Sequence, residues 1–214
     1  MFYPAFIDLT NRPVLVVGGG AVAERKVESL LEAEARVTVV SLEVTEQLQD
    51  HANSKRITLQ KRAFAPADVD GVSLVITATD DPSTQKEVAS IAAAKNILVN
   101  TVDKPELCSF IVPAILRRGD ITVAISTSGK SPSLAAELRA RLGRVLTDDV
   151  ARTASVLGTV RQEVHERFSN SDERKRVFDS IINSGIVEWI AGYDDAAALE
   201  RVRNMIKEMV DRAS

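Results

Sequence analysis

Three short stretches carry the residue types from which chemistry could be built. In "VLVVGGGAVAERKVESLL" (14–31), Gly18, Gly20 and Ala23 make a Gly-x-Gly-x-x-Ala run. In that spacing the first glycine turns the chain tightly and the second lets a pyrophosphate approach the backbone. A small third residue lets the following helix pack close to its strand. Amides at the start of such a helix face the phosphates, favoured by the helix dipole. The second stretch is "NTVDKP" (100–105), where Asp103 offers a carboxylate that can accept a proton. The third, "STSGKSPS" (126–133), sets hydroxyls and backbone N–H groups before a helix opening at Ser131-Pro132, an end that attracts anions.

The glycine run follows an apolar strand pattern and opens a helical one, which is the context that gives such a motif weight. Gly18, Gly19, Gly20, Ala21 and Val22 are its candidate cofactor contacts. About 20 positions on, where an acidic side chain commonly holds the ribose hydroxyls, the chain reads "VVSLE", with Ser41 and then Glu43. No arginine follows to receive a 2′-phosphate, so NAD is favoured over NADP. Thr79 and Asp80, in "ATDDP", and Val102 join the candidate cofactor contacts, while Asp81 reads as the cap of the next helix. Lys130 and Arg117, with Arg118, Arg139 and Arg141, are counter-charges for an anionic ligand.

These residues need a frame. Strand patterns at 14–17, 36–40, 57–60, 72–79 and 97–102 alternate with helical ones at 21–33, 43–52 and from Pro82 onward. That rhythm predicts right-handed crossovers and a parallel sheet, and the nearly unbroken apolar strands predict helices on both faces. Beyond residue 104 the pattern changes to two strands around a polar turn at 118–120. Helices are then expected at 131–147, 149–168, about 172–183 and 196–213, with Ser171 opening the third. The expected organisation is α/β: a Rossmann-like domain over 1–113, a central α+β segment over 114–147 and a small helical domain over 148–214.

Composition narrows the partners. The chain of 214 residues has a net charge of −3, 45 % hydrophobic residues and only 4 % aromatic ones, so neither a polyanion nor stacked bases are indicated. The charge is uneven, however. Residues 113–144 hold 6 basic and 2 acidic side chains, against 11 and 15 before them and 10 and 13 after. A compact positive segment suggests a small anionic ligand. One cysteine, Cys108, allows no disulfide within the chain and reads as apolar packing. His51 and His165, 114 positions apart, lack metal-ligand spacing, so no metal site is expected. No signal peptide or membrane span is legible, and a cytoplasmic protein is expected.

Taken together, "GGGAVAERK", "TATDD" (77–81), "NTVDKPELCSFIVPA" (100–114) and "ISTSGKSPSLA" (125–135) resemble the precorrin-2 dehydrogenase family of sirohaem synthesis, some of whose members are also sirohydrochlorin ferrochelatases. The resemblance is dense over the first two segments and loose over the C-terminal helices. It implies a homodimer built through the central segment, and NAD-dependent oxidation of the tetrapyrrole precorrin-2 to sirohydrochlorin. The family's important aspartate maps onto Asp103, and its serine-rich loop onto Ser126, Thr127 and Ser128. Here Thr127 stands where the family usually has a second serine, and Ser128 where it has a glycine.

Plainer readings stand beside these. The glycines could simply close a β–α connection, Asp103 could be a turn aspartate before Lys104-Pro105, and Ser131-Pro132 an ordinary cap. Asp103 fits three roles: taking a proton, orienting a substrate or binding a metal. Two rival functions also remain at this stage. One is an NAD(H)-sensing module without turnover, since fold does not fix function. The other is a chelatase that takes Fe2+ or Co2+ as a substrate.

Overall fold

The structure is a computed structural model that describes residues 2–213. It divides into two compact units, one ending at Val112 and the other beginning at Pro113.

The first unit runs β1 (Pro13–Val17), α1 (Ala21–Glu32), β2 (Arg36–Val40), α2 (Glu46–Asn53), β3 (Thr58–Gln60), β4 (Leu74–Thr77), α3 (Pro82–Ala94) and β5 (Leu98–Thr101). All strand pairs are parallel, in the order β3-β2-β1-β4-β5. The central strand β1 shows why its residues are continuously apolar. Val14 and Val16 pack towards Ala23, Val27 and Leu30 of α1, while Leu15 and Val17 pack towards Val88 of α3. With both faces covered, each of these side chains contributes about 1.5–3 kcal/mol. The turn that leaves β1 is therefore anchored on the best-buried strand. Strand order reverses between β1 and β4, and ligands of open α/β sheets bind outside the strand carboxyl ends at such a point.

The expected α/β, Rossmann-like class is the observed one, and its elements are trimmed where the chain is needed for turns. β4 stops at Thr77, not Thr79, although the Ala78 N–H still donates to the Val17 carbonyl of β1 at 2.7 Å. The second helix begins at Glu46 rather than at Glu43. Its cap is Thr45, whose hydroxyl accepts from the Leu48 N–H at 3.3 Å. α3 opens as expected on Asp81, whose carboxylate accepts from the N–H groups of Ser83 (3.2 Å) and Thr84 (2.9 Å), with Pro82 in the first turn.

In the second unit, β6 (Ala114–Arg118) and β7 (Ile121–Ile125) form an antiparallel hairpin. Its two-residue turn is Gly119-Asp120, with Gly119 at a φ of 51°. Then come α4 (Pro132–Val145), α5 (Asp148–Arg167), α6 (Ser171–Asn183), α7 (Ile186–Ile190) and α8 (Asp195–Ala213). Buried residues at four-residue spacing make the helical core: Val156, Val160 and Val164 on α5, Val177 and Ile181 on α6, Ala198, Val202 and Ile206 on α8. Two details differ from expectation. The cap of α6 is Asn170, which accepts from the Asp172 N–H at 2.8 Å, and Ser171 is the first helical residue. The five-residue α7 is too short to show a period. Among the described residues no helix is long and apolar enough to cross a membrane.

Candidate functional site

At the carboxyl edge of the first unit's sheet, a cleft of about 360 Å3 is lined by Gly18, Gly19, Gly20, Ser41, Glu43, Val44, Thr45, Ala78, Thr79 and Asp80. The structure thus gathers seven of the expected cofactor contacts around one opening: the three glycines, Ser41, Glu43, Thr79 and Asp80. Ala21 and Val22 begin α1 beside it without lining it. Val102 packs instead with the core cluster under α1. Val44, Thr45 and Ala78 carry no chemical signature, and sequence reasoning missed them. Only the turn geometry brings them in.

The glycines differ in what holds them. Gly18 has a φ of 120°, and a Cβ there would sit 2.1 Å from the Ala78 carbonyl oxygen. A Cβ on Gly19 would meet the Glu43 carbonyl oxygen at 2.0 Å. That wall is fixed by two bonds: Ser41 Oγ donates to the Glu43 carbonyl at 2.7 Å, and the Thr45 N–H donates to the Gly19 carbonyl at 3.0 Å. Gly20, in contrast, has an ordinary φ of −81°, and a Cβ would meet nothing within 4 Å. The fold itself does not require glycine at position 20. Glycine there leaves open space against the first amides of α1, the kind of cradle that a pyrophosphate needs. The residues present therefore fit a dinucleotide.

Asp103 follows β5 at the same edge. Its φ of 59° is left-handed, a conformation in which a non-glycine residue is uncommon. The turn is tied on both sides, since the Val102 N–H donates to the Thr77 carbonyl (2.9 Å) and the Lys104 N–H to the Thr101 carbonyl (3.2 Å). Cys108 is a polar fastener here and not the apolar packing that its neighbours suggested. Its half-buried sulfur accepts from the Thr101 N–H at 3.2 Å, and the thiol lies 3.2 Å from the carbonyls of Thr101 and Lys104. Burial pushes the thiol's pKa up, so it keeps the proton with which it donates. Beside it, Asn100 donates its side-chain N–H to the Phe110 carbonyl at 3.0 Å.

The α1 helix adds a charge to this edge. Lys26 is half-buried, between the buried Ala23 and Val27. Burial first, and Arg25 next, hold its ammonium below its ordinary pKa, while attraction to Asp103 acts the other way.

In the second unit, the loop from β7 to α4 is braced from within. Thr127 Oγ1 accepts from the Ser131 N–H (3.0 Å) and donates to the Ser131 carbonyl (3.1 Å). Ser126 Oγ accepts from the Ser128 N–H at 3.0 Å. Thr127 thus builds the loop, and the exposed side chains are Ser126, Ser128 and Lys130. Ser128 (φ 54°) and Gly129 (φ 80°) are both left-handed, a conformation that glycine adopts without strain and serine does not. Arg117 is not brought to this loop. It pairs with Thr122 near the hairpin turn, three residue pairs or about 10 Å of strand from the Ala114–Ile125 pair at the loop end. Among the described residues, no group of three or more His, Cys, Asp or Glu could hold a metal ion.

Comparison with known proteins agrees with this geometry. Residues 5–114 match the model of the family described as "Putative NAD(P)-binding". The chain belongs to that family. Residues 118–144 match a second model, "Sirohaem biosynthesis protein central". The chain is 39% identical to the siroheme synthase of Vesicomyosocius okutanii over 88% of its own length, and 39% identical to that of Methylobacillus flagellatus over 95%. Against the siroheme synthase of Citrobacter koseri it is 38% identical over 97% of its length. It spans less than half of these relatives: 41%, 44% and 46%. The solved structure of SirC, a precorrin-2 dehydrogenase, superimposes with a TM-score of 0.79 at 23% identity, covering 95% of this chain and 100% of that one. That likeness shows a shared fold through both units.

Proposed function

We propose that the chain is an NAD-dependent dehydrogenase that oxidises precorrin-2 to sirohydrochlorin in sirohaem formation. The observation that carries this reading is a carboxylate, Asp103, tied into a left-handed turn at the sheet edge that also holds the glycine cleft. Likeness to siroheme synthases over nearly all of this chain supports the choice of substrate, and the name of the structural neighbour agrees with it.

The oxidation removes one hydride and one proton from the substrate. NAD, when bound, supplies the hydride acceptor. The chain's own groups do the rest. Amides at Gly20 and the start of α1 hold the pyrophosphate, and Ser41 with Glu43 faces the ribose. The exposed Glu43 carboxylate would repel a 2′-phosphate, which favours NAD over NADP. A carboxylate oxygen of Asp103 takes the proton. Ser126, Ser128, Lys130 and the amides between them, with Arg117 farther along the hairpin, are assigned to the substrate's carboxylates. We read the enzyme as cytoplasmic, which suits a single thiol used as a hydrogen-bonding group.

We read it also as a homodimer joined through residues 114–147, with the helices from 148 to 214 as a third part. On α4, Ala135 is buried while Leu134, Leu138, Leu142 and Val145 are exposed at three- and four-residue spacing. Such a stripe matches the apolar seam of a helix covered by a partner.

The test is Asp103→Asn in an anaerobic turnover assay. Loss of the proton acceptor should lower kcat by about a hundredfold while NAD affinity stays within twofold or so of wild type. Unchanged turnover would remove Asp103 from the reaction.

A further inference from the structure

Lys26 has no part in the roles assigned above, and its surroundings are unusual for a lysine. It is half-buried on α1 and makes no ion pair or side-chain hydrogen bond among the described residues. Lys95 and Lys175, by comparison, are paired with Asp70 and Asp179. Burying part of an ammonium without a hydrogen-bonded anion is unfavourable unless something else supplies the anion.

Two observations locate the charge. Helical side chains lean towards the helix N-terminus, which for α1 is the sheet edge where ligands of this fold bind. Val102, the residue before Asp103, packs against the same buried cluster as Ala23 and Val27, which bracket Lys26. The ammonium therefore faces the Asp103 turn. The Asp103 carboxylate attracts it, and the two form no direct ion pair among the described residues. Lys26 is absent from the lining of the glycine cleft.

We infer that Lys26 receives a carboxylate side chain of the substrate, with the Lys26 ammonium and the Asp103 carboxylate facing the same bound molecule from α1 and from the turn after β5. This deepens the dehydrogenase reading and rests on it. A tetrapyrrole bearing several carboxylates suits such a pair: one acid group docks on the cation, and the carbon that loses its proton is turned towards the carboxylate. A charge-assisted hydrogen bond to a partly desolvated ammonium is strong enough to orient the ring.

The experiment uses the full chain and sirohydrochlorin as the probe, followed by its visible absorbance, with NAD affinity measured separately by calorimetry. Lys26→Met should weaken sirohydrochlorin binding by about tenfold or more and raise KM for precorrin-2 in parallel, with NAD affinity unchanged. Lys26→Arg should recover most of the loss, since it restores the cation. Thermal melts of both variants exclude unfolding as the cause. Unchanged sirohydrochlorin binding in folded Lys26→Met overturns the inference, and so does a loss confined to NAD, which would assign Lys26 to the cofactor. If the wild-type chain itself fails to bind sirohydrochlorin, the dehydrogenase reading falls, and this inference with it.

Discussion

Gly18 and Gly20 stand two positions apart and are held by different physics. Gly18 is imposed by the fold: its positive φ and the Ala78 carbonyl 2.1 Å from a would-be Cβ leave no room for a side chain. Gly20 has room and an ordinary φ, so the protein's own packing would admit a side chain there. Gly20→Val should therefore melt within a few degrees of wild type yet lose at least about tenfold in NAD affinity, because its branched side chain fills the cradle. Normal calorimetric NAD binding by that variant would detach the glycine turn from cofactor recognition. At this scale the motif residues were legible because each has a chemical signature. Cys108 was misread, since a thiol among apolar neighbours looks the same in sequence whether it packs or hydrogen-bonds. The bracing role of Thr127 was hidden for a related reason: a hydroxyl's partner four residues along depends on loop geometry that no pattern encodes.

At the scale of elements, the edge that carries the cleft depends on how helices begin. Asp81 holds the start of α3 through Ser83 and Thr84, whose hydroxyl and backbone N–H groups keep its carboxyl far below the usual carboxylate range. A depressed folded-state pKa means stability that is present above the unfolded value, about 3.9, and lost as pH falls below it. Asp81→Ala should thus lower Tm at pH 7, and the gap from wild type should close as pH drops below about 4. A gap of equal size at both pH values would show that the cap's charge is not what stabilises α3. Element existence could be read from hydrophobic period, as the five strands and the long helices show. Boundaries could not: the cap of α2, Thr45, is held by its N–H bond to the Gly19 carbonyl, a partner far away in sequence. The short α7 lies below the length at which a period can be seen.

For the whole molecule, the exposed stripe on α4 is an apolar surface that a single chain leaves uncovered. Leu138→Glu should shift the proposed dimer towards monomer in sedimentation, since a carboxylate in the seam cannot be desolvated without a partner. A dimer of unchanged affinity would move the interface elsewhere. The α/β class of the first unit was legible from the strand–helix rhythm. The stripe was not, because the Leu and Arg residues of α4 alternate in a way that gives no warning of which face the hairpin covers.

Turnover decides the central claim most directly: purified protein, precorrin-2 and NAD, mixed anaerobically and followed at the NADH absorbance band and through the visible spectrum. The account predicts NADH appearing in step with a sirohydrochlorin spectrum, one for one. NAD binding without any NADH formed would contradict it, and would leave a nucleotide-sensing module or a chelatase without oxidation as the reading that fits.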